Sequence, residues 1–444
     1  MKNKFLKKVL STVIAGVMAL TLVPASAQAV SDSTVLTVGS SGIYNAVLYQ
    51  YVLGKYDANK DGKLTVGEAK LVTEINITGQ KSLTSIKGIS WFPNLQSLTL
   101  QNCGLKSIHA DIGKLTKLEN LNLSYNKITA LPTSVSGLKN LVNVDLSGNK
   151  LTALPTNAKY WTKVESLDLS GNAFVQVPVG SMPYMKALTN LNLSNNKMTN
   201  ANSTIRAKMN KLVSLTNLQV LDLSGNQLTQ FPSAAIYKMK NLNELYLNNN
   251  KITSVSTYIG NLTKLTTLDL SNNNISSVHA NIKKCTALTK LNLANNKLTK
   301  IPNLTALTKL KCTDTDLYAL NLCGNNLSQT TIRKYTNDVL DDAWVARQTT
   351  APFVSVSSIS AAPLFAINNQ ETDLNGSFTF NPSNASCTDV SYDVVSVSDG
   401  VKAALNGSKV TLSKTNANDS GYAMIRVTAL DGSNTNALLC VQVL

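Results

Sequence analysis

Eleven times along the middle of the chain, apolar residues recur at the first, fourth and sixth places of a short phrase, with polar residues between them. The phrase begins at Val72, Leu95, Leu118, Leu141, Val164, Leu188, Leu218, Leu242, Leu265, Leu288 and Leu317. The intervals are 23, 23, 23, 23, 24, 30, 24, 23, 23 and 29 residues. In Leu118-Glu119-Asn120-Leu121-Asn122-Leu123 the leucines point one way and their neighbours the other, as the period of two in a strand requires. A unit this short cannot bury its apolar side alone, so copies must stack on one another around a shared core.

The ninth place of the phrase is Asn in nine units: Asn126, Asn149, Asn172, Asn196, Asn226, Asn250, Asn273, Asn296 and Asn325. There the chain leaves the strand and turns, and its backbone groups would be buried unpaired without help. An amide side chain both donates and accepts, so a stacked column of Asn can satisfy successive turns. Cys103 takes this slot in one unit and reads as a small buried substitute. With phrases such as Leu-Thr-Ala-Leu-Pro (Leu151 to Pro155), the pattern resembles the leucine-rich repeat superfamily, in the 23-residue class common in exported bacterial proteins. The resemblance covers residues 72–328 and implies an α/β solenoid, a curved arc with a parallel strand in every repeat.

On such an arc, places two, three and five face outward from the strands. Eight of these side chains are acidic: Glu74, Glu119, Asp145, Glu165, Asp168, Asp222, Glu244 and Asp269. Lys290 is the one base, and Tyr246 and Tyr318 are the two aromatics. The face is therefore net −7 on a chain of +16. A nucleic acid, which demands a positive footprint, is not expected there. Glu119, Asp145, Glu165, Asp168, Asp222, Glu244, Tyr246, Asp269 and Tyr318 are candidate contacts for a protein partner, through polar interactions. Much of the Asp belongs to a recurring Leu-Asp-Leu-Ser phrase and can equally be structural. The excess lysine includes a row just past the Asn column: Lys127, Lys150, Lys197, Lys251 and Lys297. It reads as a solvated flank, with an anionic polymer site as the alternative. Two units break the period. Extra residues before Leu218, among them Arg206, Lys208 and Lys211, suit a contact loop or an accommodated length change. Before Leu317 a second register, through Leu307, Leu310 and Cys312, is open.

Residues 57–68 read Asp-Ala-Asn-Lys-Asp-Gly-Lys-Leu-Thr-Val-Gly-Glu. This fits the EF-hand-type pattern D-x-[DN]-x-[DN]-G-x5-E without a gap. Asp57, Asn59 and Asp61 supply side-chain oxygens, Lys63 its carbonyl, Thr65 a direct or water-bridged contact, and Glu68 two oxygens, while Gly62 permits the turn. Calcium (Ca2+) is the expected ion, as a structural staple for the exposed end of the repeats. Dockerin-type ligands use such loops in tandem; only one is found here. Leu64 should pack inward, and a helix is expected over 43–56.

The remaining segments follow from composition. Residues 1–29 combine four lysines, a mostly apolar run over 9–23 and an Ala27-Gln28-Ala29 cleavage site, as a secretory signal does. Its removal leaves +12, and no later stretch is apolar enough to span a bilayer. The expected order is a leader over 1–29, a calcium-loop cap over 30–71, repeats over 72–328, a capping helix and linker over 329–350, and a β-sandwich over 351–444. The last segment is rich in Ser, Asn and Thr, with short alternating runs and turn pairs. Its stretch from Gly421 to Gly432 is similar to bacterial immunoglobulin-like modules. Cys387 and Cys440 share this segment and could pair.

An enzyme is not expected. His109 and His279 occupy equivalent places in distant repeats, where Pro132 stands elsewhere, and cannot meet. Glu165 and Asp168 could imitate a glycosidase pair, but they are expected on an open, solvated surface with nothing to raise a carboxyl pKa. Leu131-Pro132-Thr133 and Leu154-Pro155-Thr156 resemble the start of a sortase signal but lie inside repeats. The layout resembles that of internalins, apart from the calcium loop. It implies an extracellular or loosely surface-associated protein that binds a protein partner through the concave face or the insertions. The alternative is binding of polysaccharide or anionic cell-wall polymer.

Overall fold

A computed structural model describes residues 31–39, 42–311 and 319–336 of the chain. Beyond them it describes 358–361, 364–366, 368–374, 378–381, 390–397, 401–406, 408–414, 421–429 and 436–443. The leader, Cys312, Tyr318, residues 337–350 and Cys387 lie outside the described residues, as do the turns at 399–400 and 431–432.

The repeats form one parallel sheet of 11 strands that adds a neighbour with every unit. Equivalent places pair in register: Asn120 with Asn143, Asp145 with Asp168, Thr267 with Lys290. Leu320 pairs with Leu291, so the register beginning at Leu317 is the one adopted. Leu307 and Leu310 are buried elsewhere in the core. On the far side most units return through a short 3-10 helix such as Ala110–Lys114, Thr133–Gly137 or Thr156–Tyr160, and the unit of Leu218 through the α-helical turn Ser233–Ile236. One continuous apolar cluster runs from Leu36 to Ile332. Trp161 is fully buried within it and donates its indole N–H to the Val135 carbonyl at 3.0 Å.

The Asn column works as its chemistry suggests. Asn149 donates to the carbonyls of Leu123 in the previous repeat (2.9 Å) and of Leu146 and Ser147 in its own (3.1 and 3.2 Å). Its oxygen accepts the Ile128 N–H of the previous repeat at 3.0 Å. Asn126 adds the Cys103 N–H at 3.0 Å, and Cys103 itself is buried, its thiol pushed up in pKa by desolvation. The preceding place carries a second rule. Gly79, Asn102, Tyr125, Gly148, Gly171, Asn195, Gly225, Asn249, Asn272, Asn295 and Gly324 all have positive φ. Gly and Asn tolerate this left-handed turn, whereas a bulky residue there is a genuine outlier, and Tyr125 is one.

At the N-terminal end, the helix Ala46–Tyr56 starts three residues later than expected, because the Asn45 side chain caps it by accepting from Val47 and Leu48. Its tyrosines close the open edge of the sheet. Tyr51 accepts the Asn76 N–H at 3.0 Å, and Tyr56 donates to the Glu74 carbonyl at 2.6 Å. At the other end, the helix Gln329–Tyr335 places Ile332 in the core, and the Tyr335 carbonyl accepts from Leu304. The insertion before Leu218 forms the helix Ser203–Met209. Its Arg206 and Lys208 donate to Gln230 and Gln176, both at 2.8 Å, so these two cations serve neighbouring repeats.

The C-terminal part has its own small core, which includes Leu374, Val410, Leu412, Ile425, Val427 and Leu439. Its strands form mostly antiparallel sheets. One joins Leu364–Ala366, Asn436–Val443, Gly421–Ala429 and Val390–Val397; another joins Glu371–Asp373, Lys409–Lys414 and Val401–Asn406. Among the described residues no helix is long and apolar enough to cross a membrane.

Candidate functional site

In the loop from Asp57 to Glu68, backbone N–H groups converge on side-chain oxygens. Asp57 Oδ2 accepts from Gly62 (2.9 Å), Asn59 Oδ1 from Asp61 (3.0 Å) and Asp61 Oδ1 from Lys63 (2.8 Å). Glu68 Oε1 accepts from Ala58 at 3.0 Å and its Oε2 from Thr65 at 2.8 Å, completing a capping box for the helix Val66–Leu71. These bonds hold the Glu68 carboxyl below its ordinary pKa, the Thr65 N–H above all. Leu64 is fully buried, and Gly62 has φ 75°. Among the described residues no three His, Cys, Asp or Glu side chains gather at one point. The donor set is nonetheless all oxygen, as a hard cation requires, and Asp57 Oδ1 is buried without a hydrogen-bond partner. That orphaned oxygen fits a loop organised for a cation, with Glu68 now anchored in the capping box.

Along the repeats, the fifth place of the phrase has a structural task. Asn122, Asp145, Asp168, Asn192, Asp222 and Asp269 each accept, through Oδ1, the N–H two residues on, at 2.8–3.0 Å. Asp and Asn therefore serve alike in this slot, and the Asp in Leu-Asp-Leu-Ser first of all holds a turn.

The expectation of open, solvated carboxylates needs correction. Glu119 is exposed and Asp145, Glu165 and Asp269 are partly exposed, but Asp168, Asp222, Glu244 and Tyr246 are buried. In-register stacking is the cause, since neighbouring strands lie ~4.8 Å apart and bring identical places side by side. Burial, followed by the adjacent Asp145 charge, raises Asp168 to about 7. Asp145 is raised too, by burial. Burial also lifts Asp269 to about 6, and Tyr246, which donates to Glu244 Oε2 at 3.0 Å, is raised by burial and by that carboxylate. So Asp168, the partner of Glu165 in the imagined glycosidase pair, does sit where its pKa rises.

Sequence reasoning missed one group altogether. Arg426, on the strand Gly421–Ala429, reaches the third repeat unit and donates from Nη2 to the Tyr125 hydroxyl at 3.3 Å. Its charge acts on both Asp145 and Asp168, opposing their upward shifts. The two histidines stay apart. Each caps a 3-10 helix, His109 Nδ1 accepting from Asp111 (3.2 Å) and His279 Nδ1 from Asn281 (3.1 Å), at the position Pro132 holds in another repeat without a side-chain bond.

A family model described as Leucine rich repeat matches residues 93–151, 216–275 and 240–298. No curated protein matches the chain. Among solved structures, the chain is similar to an internalin (inlF) from Listeria monocytogenes, at 24% identity and TM-score 0.52, over 66% of this chain and 86% of that one. A leucine-rich repeat protein of Leptospira interrogans has 23% identity and TM-score 0.31, over 61% and 94%. A plant ice-binding protein has 25% identity and TM-score 0.43, over 57% and 80%. The sheet of 11 strands is thus a leucine-rich repeat solenoid, of the fold seen in that internalin.

Proposed function

We propose that this chain is an exported protein whose concave face binds a protein partner outside the cell or at its surface. The observation that carries the reading is the in-register sheet, which presents rows of polar side chains along one continuous run of strands. Glu119, Asp145, Glu165 and Asp269 give that surface an acidic character suited to a basic patch on the partner. Chemistry on a bound substrate is not part of the reading. The C-terminal sheets act as an immunoglobulin-like module carried by the repeats. Calcium in the Asp57–Glu68 loop strengthens the N-terminal cap, with Asp57, Asn59, Asp61, Lys63, Thr65 and Glu68 as its holders.

Photo-crosslinking tests the proposal. A benzoylphenylalanine at Glu119, on the concave side, should capture one discrete surface protein, whereas the same group at Tyr184, an exposed residue on the return side, should not. Equal capture at both places, or at neither, would refute it. A second reading, binding of anionic wall polymer, is favoured by the exposed row of Lys127, Lys150, Lys197, Lys251 and Lys297. Retention on walls through that row should disappear by a few hundred millimolar salt, about where the Debye length falls to a few ångströms.

A further inference from the structure

The residue just before each phrase bonds from repeat to repeat. Asn94 and Asn140 each donate Nδ2 to a backbone carbonyl 24 residues upstream, that of Lys70 at 2.7 Å and of Thr116 at 2.8 Å. Each then accepts, through Oδ1, an ammonium from the next unit, Lys117 and Lys163, both at 2.7 Å. Asn241 and Lys264 form the same pair at 2.9 Å. Between Asn94 and Lys264 this run breaks only at Ala187, whose methyl group can make neither bond. Beyond the break, Asn217 donates to the Lys186 carbonyl at 2.9 Å, but the next residue of the run is Asn241 rather than lysine, so no ammonium reaches its Oδ1.

A cleft of about 470 Å³ opens at the break. Ala187, Asn217, Asn241 and Lys264 of the run line it, with Thr189, Gln219 and Asn243 from the second place of three successive phrases. The strands fix the main chain beneath these last three. The Gln219 N–H donates to the Thr189 carbonyl and the Asn243 N–H to the Gln219 carbonyl, both at 2.7 Å. The Thr189 hydroxyl donates to the Glu165 carbonyl at 3.1 Å and keeps its lone pairs for an incoming donor. The Gln219 and Asn243 amides, by contrast, enter no hydrogen bond among the described residues.

The lining selects the chemistry of an occupant. At the second place the acids Glu119 and Glu165 give way to Thr189, Gln219 and Asn243, so nothing here offers a carboxylate to a basic peptide. The one ammonium, Lys264, already serves Asn241, and an anionic polymer needs a row of cations. The one apolar group is the methyl of Ala187, too little for a greasy ligand. What remains is a set of amides and a hydroxyl that donate and accept at once, on a rigid sheet edge, in a space within the ~300–1,000 Å³ usual for small-molecule sites. Sugar hydroxyls have the same double character.

We infer that the cleft at Ala187 binds a neutral sugar ring of a glycan, with Gln219, Asn243 and Asn217 supplying amide hydrogen bonds and Thr189 an acceptor. The site lies apart from the acidic side chains assigned to a protein partner and does not depend on them.

Saturation-transfer NMR titrations of the full chain test it with cellobiose, maltose, N,N′-diacetylchitobiose and a neutral mannose-rich N-glycan. No aromatic ring lines the cleft for a sugar to stack on, so the expected dissociation constant is millimolar. Preference for the N-glycan assigns the source to a glycoprotein and preference for a disaccharide to a polysaccharide; either supports the site. Affinity should change by less than about twofold between low salt and several hundred millimolar NaCl, since no charge pairing is involved. Ala187→Gln fills the break with a side chain of the size its neighbours in the run carry, and should weaken binding at least about tenfold by occupying the space. Gln219→Ala combined with Asn243→Ala should do the same by removing hydrogen bonds, at about tenfold or more. Both variants should melt with the unsubstituted chain, because none of the replaced side chains holds a hydrogen bond of the fold. Failure of all four probes to bind, affinity lost in salt, or binding that survives both variants would each overturn the sugar site. Loss of capture at Glu119 would leave it standing, so the two readings can fail separately.

Discussion

Arg426 and Tyr125 are 301 residues apart in sequence and join through a single 3.3 Å hydrogen bond from guanidinium to phenol. The bond ties the C-terminal sheets, which have their own core, to the third repeat unit of the solenoid. It also accounts for an aromatic residue in a turn that otherwise takes only Gly or Asn.

Replacing that tyrosine should expose the strain. In an Arg426→Ala background, where the phenol has lost its donor, Tyr125→Asn should stabilise the chain by about 1 kcal/mol, because Asn tolerates left-handed backbone. Urea denaturation of the two proteins measures the difference. A loss of stability instead would mean that ring packing over Gly148 outweighs the backbone term.

The Asn column should be intolerant in the middle. Asn172→Ala would leave the Leu151 N–H and the carbonyls of Leu146, Leu169 and Ser170 without their buried partner. The expected loss is about 1–3 kcal/mol or more, read from the denaturation midpoint. Asn172→Asp keeps the acceptor, loses the donors and should also destabilise.

Stability should fall as pH rises through neutrality. Asp168 at about 7 and Asp269 at about 6 hold protons in the folded chain that the unfolded chain releases near 4. Between those limits the folded state binds more protons, so its advantage is largest in mild acid and shrinks towards pH 7. Denaturation midpoints at pH 5, 6 and 7 should decline, and Asp269→Asn should flatten the part below pH 6. Glu68 works in the opposite sense, since its lowered pKa contributes stability that is lost only as acid protonates it.

Calcium should raise the melting midpoint of the full chain, and EGTA should reverse the rise. Asp57→Ala, which removes the oxygen that has no partner, should abolish the response. A ligand at a hundred times its dissociation constant contributes about 2.7 kcal/mol, enough for a shift of a few degrees. An identical midpoint with and without the metal would remove calcium from the account.

Most of the architecture was legible from the period alone. The phrase at Leu118 reports which residues turn inward, and Asn149 reports how the turns are satisfied, because both depend only on neighbours at fixed spacing. The left-handed place before each Asn is equally visible as a column of Gly and Asn, with Tyr125 as its exception. What could not be read was Arg426, since nothing in a repeat encodes where a distant sheet will rest. The burial of Asp168 is not legible in its outward place, because outward does not mean wet. An in-register stack surrounds each side chain with copies of itself, and inner members are desolvated by their neighbours.

Each amide in the column bonds backward to the unit before it and receives nothing that depends on which unit that is. Any whole 23-residue block is therefore interchangeable with the next. Excising residues 141–163 would let Asn172 find in the unit of Leu118 the same carbonyl and N–H it now finds in the unit of Leu141. The number of units can thus change without altering any bond of the column.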